Sequence, residues 1–357
     1  MIKNFSLFES ELKQKELSAE QINFLDTHVK GAWKYNQRTK EVDVRGDFRM
    51  SGKAYREGFL GVKFGDVSGD FIAANCLIES LEFAPSKVGG SFICDRNKIE
   101  SLKGSPREVG GDFDCSSNNL VSLEGAPDKV GGDFICKVNK LKSLQGSPKQ
   151  VPGSFDCEEN RLTTLEGGPE EVGGSFLCVF NKLESLRGAP KQVGGSFLCY
   201  ENSLETLEGC PEKIMGSFDC SGNKLTNLEG GPKIVKDNFN CSGNPDLISL
   251  KGMPEKIGGG LVAGSFEMWD RSNDIKDFIS HLPSFKSKGQ KLAMTALTPA
   301  IINKEIKKSP DKMIKLLAPI WNMEAFSGLK KDLKFPEGLE KTEALINKIN
   351  RVKNLEI

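Results

Sequence analysis

Residues 106–125 read Pro106-Arg107-Glu108-Val109-Gly110-Gly111-Asp112-Phe113-Asp114-Cys115-Ser116-Ser117-Asn118-Asn119-Leu120-Val121-Ser122-Leu123-Glu124-Gly125. Twenty-one residues on, the same signs return as Val130-Gly131-Gly132-Asp133-Phe134-Ile135-Cys136, followed by Asn139, Leu141 and Leu144. Outward in both directions, Cys94, Cys115, Cys136, Cys157, Cys178, Cys199, Cys220 and Cys241 keep an unbroken step of 21 residues, so eight of the ten cysteines belong to one repeat. A fixed period of this length is the mark of stacked, repeating architectures. A zinc site is disfavoured, because zinc takes close ligand pairs such as C-x2-C. Here each Cys stands alone in its unit, and the two histidines, His28 and His281, lie outside the array. No metal or cofactor is expected.

The unit P-x-x-V-G-G-[SD]-F-x-C-x-x-N-x-L-x-x-L-x-G has a direct physical reading. Phe and Cys two residues apart share one face of a short strand, and stacking equivalent strands about 4.8 Å apart lays each Phe on the next. One interior ladder is then Phe71, Phe92, Phe113, Phe134, Phe155, Phe176, Phe197, Phe218 and Phe239; the Cys series, with Ala73 in first place, forms another. A reduced Cys packs as a small hydrophobe beside a bulky Phe. Parallel Cα–Cβ vectors give poor disulfide geometry between rungs. Asn97 through Asn244, also in steps of 21, form a third ladder whose amides both donate and accept toward buried turn backbone. Cys76 takes the Asn place in the first repeat. The Gly-Gly pair and the Pro mark sharp turns, leaving room for extended segments or single helical turns and none for a full helix. The last repeat carries one extra residue around Pro245-Asp246-Leu247.

The period, and F-x-C-x-x-N-x-L in place of L-x-L-x-x-N-x-L, make the array resemble leucine-rich repeats, from about Val67 to about Ile257. Its Pro, short unit and lack of a helix are similar to the bacterial-type repeats of secreted effectors. The V-G-G-[SD]-F-x-C-x-x-N-x-L form, preceded by a stretch like Trp33 to Phe48, also resembles uncharacterised repeat proteins of large tailed phages and of bacteria. The fold expected is α+β: a leucine-rich-repeat solenoid of short parallel strands, about nine repeats, with a helical N-terminal cap and a helical C-terminal segment. The domain limits expected are 1–66 for the cap and a degenerate edge repeat, 67–264 for the solenoid, and 265–357 for the helical part.

At the N-terminal end, Ser18-Ala19-Glu20-Gln21 spells a capping box that opens a helix through about Val29. Strands follow around Trp33 and Tyr35 and from Val42 to Met50, where Val44, Phe48 and Met50 imitate the Val, Phe and Cys of the repeat. Arg45-Gly46-Asp47 spells an adhesion tripeptide but occupies the place of Ser68-Gly69-Asp70, so it reads as structural. Beyond about Ser265 the chain turns Lys-, Ile- and Leu-rich, with helices expected near Asn273, at Thr298, at Ser309 and after Pro336.

The chain holds 49 Lys plus Arg against 49 Asp plus Glu, so it has no global pull toward nucleic acid or anionic lipid. Nucleic-acid binding is disfavoured and membrane spanning is not expected, since no apolar run approaches the roughly 20 residues a span needs. With no signal-like start, residence is expected to be cytoplasmic.

Nucleotide-cradling, zinc-protease and nucleophile-elbow motifs do not occur, and function points to binding. Residues alternating with the interior ones should line a concave face; between Phe and Cys they run Ile72, Ile93, Asp114, Ile135, Asp156, Leu177, Leu198, Asp219 and Asn240. Leu177, Val179, Phe180, Leu198 and Tyr200 are expected to form one exposed apolar patch edged by Asp156, Glu158, Glu159 and Glu201, as interaction sites do. The alternatives are cover by the C-terminal segment and self-association as a homo-oligomer. The resemblance implies a noncatalytic scaffold that recognises a protein partner, a phage or bacterial factor aimed at a host protein. The residence is then the host cytoplasm, with an assembly component of a phage particle, in the virion, as the alternative. The ubiquitin-ligase domain of some such effectors is too large for the C-terminal segment, and no Cys lies beyond Cys241 to act as its nucleophile.

Overall fold

A computed structural model describes residues 17–52, 59–247, 250–262, 292–293, 333–335 and five positions between 341 and 347. The chain divides into two compact units, Met1–Asn181 with Gly188–Pro190, and Lys182–Arg187 with Lys191–Ile357. The described part of each unit is a parallel β-solenoid with a period of about 21 residues, and the described residues together make about ten turns.

In the first unit, α1 (Ala19–His28) opens with the capping box read from the sequence: Gln21 N–H donates to Ser18 Oγ and Ser18 N–H to Gln21 Oε1. It buries Phe24 and Leu25, and the Phe24 ring lies 5.8 Å from that of Phe48. The antiparallel hairpin β1 (Val29–Asn36) and β2 (Glu41–Ser51) follows. In it Gly31 faces Gly46, and a Cβ on either would meet a backbone oxygen of the other strand at 2.1 Å. β2 then serves as the first turn of the stack, pairing Phe48 with Phe71 and Met50 with Ala73 on β4 (Phe71–Ala74), and Val44 with Val67 on β3 (Phe64–Val67). The Arg45-Gly46-Asp47 tripeptide therefore sits inside a strand, with Asp47 paired to Arg49 and accepting the N–H of Asp70.

From Lys87 to Val262 each described turn carries two strands of two residues, one ending at the Val or Ile of the turn and one starting at its Phe or, in the last of them, at Leu261, so the segments opposite the Phe row are extended. Phe rings from Phe48 to Phe176 stack with centroids 4.8 to 5.6 Å apart. Each such pair adds roughly 0.5–1.5 kcal/mol beyond the burial of its area. All ten cysteines are thiols, and nine are buried. Asn118 shows what the Asn ladder does: Nδ2 donates to the carbonyls of Cys94, Cys115 and Ser116, and Oδ1 accepts from Ile99 N–H. In the Asn place of the first repeat, the Cys76 thiol reaches the carbonyls of Ala74 and Met50.

A further ladder lies at the Ser or Asp before each Phe. Asp47, Asp70, Ser91, Asp112, Asp133 and Ser154 each accept, through the side chain, the backbone N–H of the residue one turn later. The second Gly of each pair makes room for that oxygen: a Cβ on Gly132 would lie 2.0 Å from Asp112 Oδ1.

The second unit repeats the scheme, with Phe197, Phe218 and Phe239 in register and Leu261 next. Its extra residue is real, since Ile234 pairs with Lys256, 22 positions on. Leu261–Val262 pairs in parallel with Leu292–Ala293.

The expected α+β character gives way to a mostly β protein among the described residues. The C-terminal helices expected near Asn273, Thr298 and Ser309 lie outside the described residues. After Pro336, helical backbone is described only at positions 341, 342, 344, 345 and 347. No described helix is long and apolar enough to cross a membrane.

Candidate functional site

The residues between Phe and Cys point away from the ladders, as their alternation requires. In the first unit Ile93, Asp114, Ile135, Asp156 and Leu177 stand in register on neighbouring strands. Asp156 is buried and the other four are half-buried. Lys137 Nζ lies 3.0 Å from Asp156 Oδ2, and this bond holds the lysine above its usual pKa. The Asp114 Oδ1 accepts Ser116 N–H at 2.9 Å, while burial pushes the Asp114 carboxyl up. Burial, and then the neighbouring Asp156, does the same to Glu158.

From Phe92 to Phe239 each strand of this row ends one residue after Phe. The second residue after Cys takes a left-handed conformation: φ is 54° at Arg96, Ser117 and Val138, 50° at Glu159 and 52° at Phe180. In the second unit Glu201 (53°), Gly222 (64°) and Gly243 (66°) do likewise. Left-handed backbone throws that side chain outward, and it is costly for Val and Phe. The first residue after Cys turns back toward the stack instead.

This corner sorts the nine candidate residues. Phe180 is 52% exposed, Glu159 and Glu201 are exposed, and Leu177, Leu198, Tyr200 and Glu158 are half-buried. Val179 is fully buried, not exposed, because it sits at the inward-turning position. Asp156 is buried beneath Lys137 and does not form an open rim. Leu177, Val179, Phe180, Asp156, Glu158 and Glu159 belong to the first unit, and Leu198, Tyr200 and Glu201 to the second. The expected patch leaves out Val138, a further outward apolar corner of the first unit, 39% exposed. The glycines Gly222 and Gly243 at the same place in later turns were the signal for it.

The ladder thiols are poor nucleophiles. Burial pushes Cys94, Cys115, Cys136, Cys157, Cys178 and Cys220 well above the usual thiol range, Cys241 up to about 12 and Cys76 up to about 11. Among the described residues no group of His, Cys, Asp and Glu is placed to hold a metal ion. No family model matches the chain, and no curated protein matches it.

Proposed function

We propose that the protein is a noncatalytic scaffold that recognises a protein partner through the strand face of its solenoid. The observation that carries this reading is Phe180, a large aromatic side chain held more than half exposed on a left-handed corner. Backbone and solvation both disfavour that placement, and such costs persist where an exposed group is used. Leu177 and Glu159 flank it in the first unit, and Leu198, Tyr200 and Glu201 carry similar chemistry in the second. The sealed thiols support a binding role over thiol chemistry.

The leucine-rich-repeat reading belongs to the same proposal. It rests on two buried columns, Ile99, Leu120, Leu141 and Leu162, and Leu102, Leu123, Leu144 and Leu165, together with the Asn ladder. The resemblance to phage repeat proteins favours a factor acting on a host protein in the host cytoplasm.

Affinity capture from host lysate tests the reading, comparing wild type with a folded Phe180→Glu variant and, separately, a Leu198→Asp, Tyr200→Glu variant. The expected result is a partner kept by wild type and lost by at least one variant. Identical partners for all three would remove the strand face from the argument. Retention of the protein in purified particles would favour the assembly role instead.

A further inference from the structure

The column Ile93, Asp114, Ile135, Asp156, Leu177 alternates apolar and acidic rungs within the first unit. Neighbouring strands lie about 4.8 Å apart, so the three apolar rungs recur about every 9.6 Å and span about 19 Å. The row and the two positions after each Cys beside it hold five acidic groups, Asp95, Asp114, Asp156, Glu158 and Glu159, against two cations, Arg96 and Lys137. Arg96 lies 3.4 Å from Asp95 and Lys137 lies 3.0 Å from Asp156, so both cations already have acidic neighbours.

A partner laid along the stacking direction must match that spacing. An α-helix repeats its face every seven residues, about 10.5 Å, and drifts by nearly 2 Å between Ile93 and Leu177. An extended strand repeats its face about every 6.7 Å and is out of step at the second contact. A polyproline II segment has three residues per turn and rises about 3.1 Å per residue, so like residues recur about every 9.3 Å and stay within about 0.6 Å over the row. The charge of the row decides the rest. It repels a second copy of itself and nucleic-acid phosphate, and it attracts Lys or Arg.

We propose that this face docks a proline-rich, basic segment of a protein partner in the polyproline II conformation. Every third residue of the segment lies against Ile93, Ile135 and Leu177, and its cations lie over Asp114 and Glu158. This inference rests on the protein-binding reading above and names the partner's chemistry. The upward-shifted carboxyls of Asp114 and Glu158 agree with it, since an incoming cation relieves both.

The test is fluorescence anisotropy of the full chain with three labelled 12-residue probes. These are (Pro-Pro-Lys)4, (Pro-Pro-Glu)4 and an alanine-based helical peptide carrying the same four lysines. The expected result is saturable binding of (Pro-Pro-Lys)4, about tenfold or more tighter than the helical probe and weakened by salt. The (Pro-Pro-Glu)4 probe should not bind. Asp114→Asn, which keeps an oxygen for Ser116, and Ile135→Ser should each weaken binding about fivefold or more while circular dichroism stays native. Equal binding of the helical probe, or no effect of either folded variant, would overturn the proposal. Loss of a lysate partner in Phe180→Glu with no binding of (Pro-Pro-Lys)4 would overturn it too, and would leave the broader reading standing.

Discussion

Asp133 reaches from one turn to the next: its Oδ1 accepts the backbone N–H of Ser154 at 2.6 Å, in the space that a Cβ on Gly153 would take. One side chain thus satisfies an N–H that the neighbouring turn cannot satisfy for itself, and one glycine is fixed by it. Asp133→Ala should therefore cost about 1–3 kcal/mol, the penalty of an unsatisfied backbone donor. Asp133→Ser should cost less, because Ser91 and Ser154 do the same work elsewhere in the column. Urea unfolding of the two variants beside wild type checks the order.

Asn160 should be less forgiving. Its Nδ2 serves the carbonyls of Cys136, Cys157 and Glu158, each at 3.1 Å, and its Oδ1 accepts from Leu141 N–H. Asn160→Ala strands several buried polar groups at once and should cost about 3 kcal/mol or more. A cost below that of Asp133→Ala would show that water replaces the amide.

Val138 should be improvable. A β-branched residue at φ 54° carries about 1–2 kcal/mol of backbone strain. Val138→Asn or Val138→Gly should raise stability by about 1 kcal/mol, read as a higher urea midpoint at unchanged slope.

The buried thiols make stability fall at high pH. Their folded pKa values lie above the unfolded value, so below about pH 8 both states hold their protons and nothing is lost. Above about pH 9 the unfolded chain releases protons that the folded chain keeps, and each thiol removes about 1.4 kcal/mol per pH unit. The window runs upward from about pH 9 toward the folded values of about 11 at Cys76 and about 12 at Cys241. Urea midpoints at pH 7.5, 9 and 10 should fall steeply, and alkylation at pH 8 should label half-buried Cys210 well before the other nine. A flat profile would contradict the burial of the ladder.

Asp114 should show the same sense in the acidic range. Its carboxyl is raised by burial, so the ionised form weakens the fold and stability returns as pH drops through the window above about 3.9. Asp114→Asn should be slightly more stable than wild type at pH 7 and equal to it near pH 3, read as urea midpoints at the two pH values.

The Phe, Cys and Asn ladders were legible because each demands one residue type at one place in every unit, and repetition makes such a demand visible. The N-terminal turn was legible for the same reason, through Val44, Phe48 and Met50. The relay at the Ser or Asp position was not. Two chemically different side chains share one task there, and a polar residue beside Gly-Gly reads as turn surface. The left-handed corner was hidden because Val138 and Phe180 occupy a conformation that glycine or asparagine usually advertises. Missing that corner placed Val179 outside when it lies inside. The alternation rule that assigned it holds only while the strand continues.

The relay at the Ser or Asp position also has a direction. Its acceptor always belongs to the earlier turn and its donor to the later one, from Asp47 to Ser154. As the ribosome releases the chain, each finished turn already offers an oxygen to an N–H that has not yet emerged. For this column the order of synthesis is also the order of assembly, and the growing end is held to a template made moments before.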